Sequence, residues 1–264
     1  MAYINSQSFE EIKHHGNKLF PISAYPVTCT VKGPILQFHW HKELEFLYLA
    51  KGEAVFTIDD NSFTLKAGEC VFINSGKIHS GYSITVITQY ISVVFDINLL
   101  TTTFDISKEL FNNIVTNRYN IIQHFTPDGS SQSRVISELK NIITELKNKN
   151  FAYELVIKSN LLSIFTIIPR NSLYTKVTTS RKNLSLDKKF ELFKEILSFI
   201  ENNSNNKIKL SDISNKINLT PQYLCIFFKY MTNMSIIQYI NNYKIEKAAS
   251  MLKISNLTIP DIAL

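Results

Sequence analysis

Between about Phe20 and Phe95 apolar and polar residues change over in short runs: Thr28–Lys32, Ile35–His39, Leu44–Leu49, Ala54–Ile58, Ser62–Leu65, Cys70–Ile73 and Thr85–Phe95. Turn signals separate them at Lys51-Gly52, Asp59-Asp60-Asn61, Ala67-Gly68 and Ser75-Gly76. Short strands at regular spacing predict one small β-barrel or sandwich of about 80 residues, a normal size for a single core. Residues 1–20 are an amphipathic lead-in to it. From residue 105 the period lengthens. Val135, Ile136, Leu139, Ile142, Ile143 and Leu146 form one stripe on a helix from about Ser133 to Lys149, and Tyr153–Ile168 is apolar almost all round. Pro169–Ser185 is polar, basic and aperiodic, and reads as a linker.

The last third is helical throughout. Leu186–Asn203 places Phe190, Phe193, Ile196, Leu197 and Ile200 on one face. A short helix follows at Leu210–Ile217, with Ser211 as its N-cap, then the turn Asn218-Leu219-Thr220. The next helix opens on Thr220 as N-cap and Pro221 at the first helical position, where the missing N–H costs nothing. It buries Leu224, Phe227 and Phe228 and ends near Tyr230, with Asn233 as a C-cap. A long amphipathic helix, Ile236–Lys253, comes after it. The fold class is α+β, with domains at 1–104 (barrel and lead-in), 105–168 (helical cover), 169–185 (linker) and 186–264 (an all-helical module).

Charge sharpens this division. Residues 181–264 hold twelve Lys or Arg against seven Asp or Glu, while residues 1–180 hold sixteen against fifteen. A near-neutral barrel followed by a basic helical module suits a sensor joined to a part that contacts phosphates. Cys29, Cys70 and Cys225 are scattered and odd in number, which argues for reduced thiols in a cytoplasmic protein and against a disulfide frame. The N-terminus lacks a signal-peptide pattern, and the best apolar run, Leu161–Ile168, is too short to span a bilayer. We find no nucleophile–base pair or phosphate loop.

Two short helices, a three-residue turn and a polar leading face on the second helix make a helix-turn-helix pattern. In its context the chain from Phe190 onward resembles the DNA-binding region of the AraC/XylS family of bacterial transcription regulators, in which one helix joins two such units. The features that carry the resemblance are Ile245-Glu246-Lys247-Ala248-Ala249, Phe228-Lys229, and Ile259-x-x-Ile262-Ala263 opening a second unit, inside whose first helix the sequence ends at Leu264. Lys244 stands where the family usually carries arginine, and Cys225 and Ile226 where it often presents polar groups. The resemblance implies double-stranded DNA as partner, with Thr220, Pro221, Gln222, Tyr223, Cys225, Ile226, Lys229 and Lys244 at the contact. Gln222 suits an adenine edge, Ile226 and Cys225 a thymine methyl, and the lysines phosphates.

Within the barrel, Gly33-x5-His39-x-His41-x3-Glu45-x6-Gly52 is similar to the first cupin motif, and Gly68-x5-Asn74-x-Gly76-x2-His79 to the second, with Asn74 for the usual proline and Ser83 for the usual asparagine. His39 and His41 share strand parity and so face one side. With Glu45 and His79 they make a set that either lines an effector pocket, with Tyr82 at its mouth, or holds iron, manganese, nickel or zinc. No cofactor is assigned. The expected function is an effector-controlled transcription regulator, an activator or a repressor, with a small molecule, a second copy of the chain through the 105–168 helices, and RNA polymerase as partners, and no membrane. The alternative is a metal-dependent cupin enzyme, an oxygenase or isomerase, using His39, His41, Glu45 and His79.

Overall fold

The computed structural model describes residues 11, 13–101, 106–177, 181–232 and 234–254, with backbone alone at 181–187, 246, 249–251 and 253–254. Two compact units divide near residue 178. The first begins with eight strands, β1 (Ile22–Cys29), β2 (Gly33–His39), β3 (Leu44–Lys51), β4 (Glu53–Ile58), β5 (Asn61–Lys66), β6 (Cys70–Ile73), β7 (His79–Ser83) and β8 (Thr88–Phe95). It continues with α1 (Lys108–Val115), β9 (Tyr119–Ile121), β10 (His124–Phe125), α2 (Ser130–Asn148), α3 (Tyr153–Arg170) and β11 (Tyr174–Lys176). One sheet has the order β1-β8-β3-β6-β10, a second β2-β7-β4-β5, and β11 pairs with β9 in a third.

The two faces of β3 show why the chain folds this way. Leu47 and Leu49 point into the space between the sheets, where they join Leu36, Ala54, Phe56, Ile58, Leu65, Val71, Ile73 and Tyr90 in one buried cluster. Leu44 and Phe46 point the other way, into a second cluster with Phe72, Val93 and Phe95 and with Leu139, Ile142, Leu161 and Phe165 of α2 and α3. The five-stranded sheet is thus buried on both faces, which gives it near-continuous apolar runs. The four-stranded sheet exposes its outer face, where Tyr82 sits opposite Val55 and Pro34. Packing inside is tight: a Cβ on Gly81 would stand 2.7 Å from the Phe56 ring.

Several boundaries differ from the sequence expectation. The first strand is Ile22–Cys29, not Thr28–Lys32, and the last begins at Thr88, not Thr85. The strand His79–Ser83 was not expected, because His-Ser-Gly-Tyr-Ser lacks apolar alternation. Residues 174–176, expected in a linker, pair with β9 as a strand, and α3 runs through Pro169 to Arg170.

The second unit contains α4 (Arg181–Asn202), α5 (Leu210–Lys216), α6 (Pro221–Thr232) and α7 (Ile236–Ile254). Phe228 is its hub, 5.4 Å from the Phe193 ring and 5.1 Å from that of Tyr239. The Asn233 cap and the second-unit residues Leu257 to Leu264 lie outside the described residues. No helix among the described residues is long and apolar enough to cross a membrane.

Candidate functional site

Glu45 breaks the inward apolar row of β3, since Glu45, Leu47 and Leu49 share one face. A carboxylate there needs partners. They come from both sheets. His39 and His79 are directly opposed across β2 and β7, with ring centroids 4.0 Å apart. His41 follows two residues on, beyond the end of β2. Ser92 of β8, diagonal to Glu45, donates its hydroxyl to Glu45 Oε1. His41 Nε2 and His79 Nε2 each lie 3.1 Å from Glu45 Oε2. Ligand atoms of His39, His41, Glu45 and His79 all fall within 4.8 Å of one another, and none of the four residues is more than 7% exposed.

The far side of each imidazole fixes its proton. Nδ1 of His39, His41 and His79 meets the carbonyl of Gln37 at 2.9 Å, of Glu43 at 3.1 Å and of Lys77 at 2.9 Å. A carbonyl only accepts, so each Nδ1 carries hydrogen, and a ring with that single proton turns an Nε2 lone pair the other way. At His79 that lone pair lies against the carboxylate, yet Nε2 makes no hydrogen bond. Lone pairs 3.1 Å apart repel unless a cation lies between them. Burial opposes charge on Glu45, but a proton on the facing Nε2 of His41 or His79, or a cation in its place, holds the carboxyl well below the usual range. His39 is held well below the usual histidine range by burial first, and then by any charge on His79 and His41 beside it. Three imidazoles fixed by carbonyls and one carboxylate are a donor set that fits a divalent transition metal.

Tyr82 is not part of this set. It lies three residues from His79 on the same strand, so it has opposite parity and projects from the outer face of the four-stranded sheet. The sequence also gave no role to His15. It is buried, with its ring centroid 6.0 Å from that of His41 and its Nδ1 3.0 Å from the Tyr25 hydroxyl. Burial first, then the neighbouring His41 and Lys13, push its pKa down to about 4. Asn74, the departure from the usual proline, donates to the Ile114 carbonyl at 2.6 Å and to Asn117 Oδ1 at 2.9 Å, tying the β6–β7 loop to the end of α1.

In the second unit, α5 ends in a Schellman motif. Asn218 takes a left-handed φ of 54°, Leu219 N–H reaches the Ser214 carbonyl at 2.9 Å, and Asn218 N–H reaches Asn215 at 3.4 Å. Thr220 then caps α6, its Oγ1 accepting from Tyr223 N–H at 3.2 Å. Leu224, Phe227 and Phe228 are buried, and Pro221, Gln222, Tyr223, Ile226 and Lys229 are exposed with Cys225 half-buried. One expectation is corrected. The N-cap of α5 is Lys209, whose N–H is received by Asp212 at 3.1 Å, and Ser211 lies inside the helix. Lys244 donates to the Asn206 carbonyl at 2.6 Å, so one of the three N–H groups of its ammonium braces the loop before α5. Lys247 acts beside it, on Ser204 and Asn205. One cap was missed although the sequence signals it: Ser235 and Gln238 form a reciprocal capping box at the start of α7.

The cupin domain family matches residues 27–85. The chain is 24% identical to the uncharacterized HTH-type transcriptional regulator YdeC of Bacillus subtilis over 99% of its own length and 88% of that protein. It is 32% identical to the HTH-type transcriptional activator AarP of Providencia stuartii over 35% of its own length and 68% of AarP. Among solved structures, ToxT of Vibrio cholerae bound to an unsaturated fatty acid aligns over 92% of this chain and 84% of ToxT, at 13% identity and a TM-score of 0.41.

Proposed function

This chain belongs to the AraC/XylS family of helix-turn-helix transcription regulators, and from that premise we propose that ligand occupancy of its barrel sets how α6 engages a DNA major groove. The observation that carries the proposal is the split character of α6: an apolar face sealed against Phe193 and Tyr239, and a leading turn with Gln222, Tyr223 and Ile226 open to solvent. Gln222 suits an adenine edge and Ile226 a thymine methyl, while Lys229 and the first N–H groups of α6 suit phosphates.

At the barrel, His39, His41, Glu45 and His79 would hold a divalent metal. When bound, such an ion supplies the positive charge that Glu45 and the facing Nε2 lone pairs require. The same four residues are closed to solvent, and their ligand atoms lie within 4.8 Å of one another, a spacing that suits an ion. We assign the cluster to sensing or bracing and not to catalysis. The exposed Leu155, Val156 and Leu162 of α3 support a homodimer. Contact with RNA polymerase and a place in the cytoplasm follow from the regulatory role.

Fluorescence anisotropy on duplexes selected from a random pool, run across a salt series, tests the reading. Binding should weaken linearly with log salt. Gln222→Ala should cost about 1–3 kcal/mol on the selected site and little on random DNA. Binding that ignores both salt and Gln222 removes the proposal.

A further inference from the structure

A cavity of about 570 Å³ lies in the first unit outside the barrel, walled by the lead-in, the loop after β8 and α3. That is ample for a small organic molecule. Its apolar wall includes Leu19, Leu99 and Leu162, and its basic groups include Lys18 and Lys158. Its rim also carries two carboxylates: Asp96, which accepts from Asn98 N–H at 2.8 Å, and Glu43, whose Oε2 is 3.8 Å from His41 Nδ1. Lys18 and Lys158 have no ion pair or hydrogen bond among the described residues. His15, also in the wall, is 4% exposed, and its Nε2 has no hydrogen-bond partner. A buried polar atom left unpaired is costly, and a ligand that satisfies it recovers that cost.

We propose that this cavity binds a small organic anion, its acid group held by Lys18 and Lys158 within reach of the His15 wall and its apolar body against Leu19, Leu99 and Leu162. The proposal rests on the ligand-controlled reading above and locates the organic ligand outside the barrel. His15 connects the two places, since it packs against His41 of the buried cluster. Lys158 and Leu162 connect the cavity to α3, whose outer face also carries Leu155 and Val156. An occupant would therefore bear on both the cluster and the helix that supports a dimer.

The test titrates the full chain with 8-anilinonaphthalene-1-sulfonate, followed by its fluorescence. N-phenyl-1-naphthylamine, the same ring system without the sulfonate, is the control. The sulfonate should bind at one site, and Lys18→Glu and Lys158→Glu should each weaken it roughly ten-fold, the scale of one charge-assisted hydrogen bond. The uncharged probe should bind more weakly and respond to neither substitution. Both lysines are on the surface of the cavity, so folding should survive, and Lys158→Arg should retain binding. Equal affinity for the two probes, or sulfonate binding unchanged in both glutamate variants, overturns the proposal. Lysine-dependent sulfonate binding in a chain that ignores DNA sustains the cavity and removes only the regulatory reading.

Discussion

Glu45 sits in a row of leucines on the inward face of β3, and its burial is tolerable only because the Ser92 hydroxyl donates to it and the three imidazoles around it offer a proton or a shared cation. Glu45→Gln keeps the shape and removes the charge. Bound zinc or manganese, read by elemental analysis after equilibration with the metal, should then fall at least about ten-fold. In the unsubstituted chain, metal at a hundred times its dissociation constant should add about 2.7 kcal/mol to the stability of the first unit, and a chelator should remove it. A melting temperature indifferent to metal and chelator alike would show that the cluster does not hold an ion. Tyr82 teaches the converse lesson at the same scale: nearness to His79 in sequence suggested a shared site, but an odd spacing along a strand reverses the face.

Among the elements, the α5–α6 turn was the most legible from sequence. Asn218 tolerates the left-handed conformation, Thr220 caps, and Pro221 starts the helix, so each residue type matches its place. Thr220→Ala should cost about 1 kcal/mol, seen as a shift in the urea midpoint of the second unit with an unchanged slope. The strand β7 was the least legible. His-Ser-Gly-Tyr-Ser carries no periodic signal, and it is held in place by pairing with β2 on one side and β4 on the other. Tertiary pairing, which a local pattern cannot register, decided that element and with it the position of His79. The same holds for β9 and β11, which pair across some fifty residues of sequence, and for Lys244, whose partner Asn206 lies in a distant loop. The histidines and Glu45 were readable as a spacing, whereas His15 was not, because nothing in the lead-in announces that it folds against the barrel.

On the scale of the whole molecule, each unit has its own core. Helices α1–α3 share the cluster around Phe46 with the barrel, whose interior closes around Leu47, while Phe193, Leu224, Phe228 and Tyr239 are buried in the second unit. Phe228→Ala should therefore cost the second unit about 3–5 kcal/mol. Calorimetry should show one transition lowered and the other unmoved, with DNA binding lost and binding of the sulfonate probe retained. Loss of both transitions together would mean that the two cores depend on each other. The near-neutral charge of the first 180 residues and the excess of lysine in the remainder follow the same partition.

His39 and His79 belong to one sheet of the barrel and Glu45 to the other, all at the rim where β2 ends and β3 begins. Whatever fills the space between them thus governs how far the two sheets can part at that edge. Loading with metal should slow amide exchange there, around Leu44–Phe46 and Ser80–Gly81, and leave the opposite rim near Gly52 and Gly68 at its former rate. The barrel would then loosen and tighten from one end only, like a hinged pair of boards with its clasp on a single side.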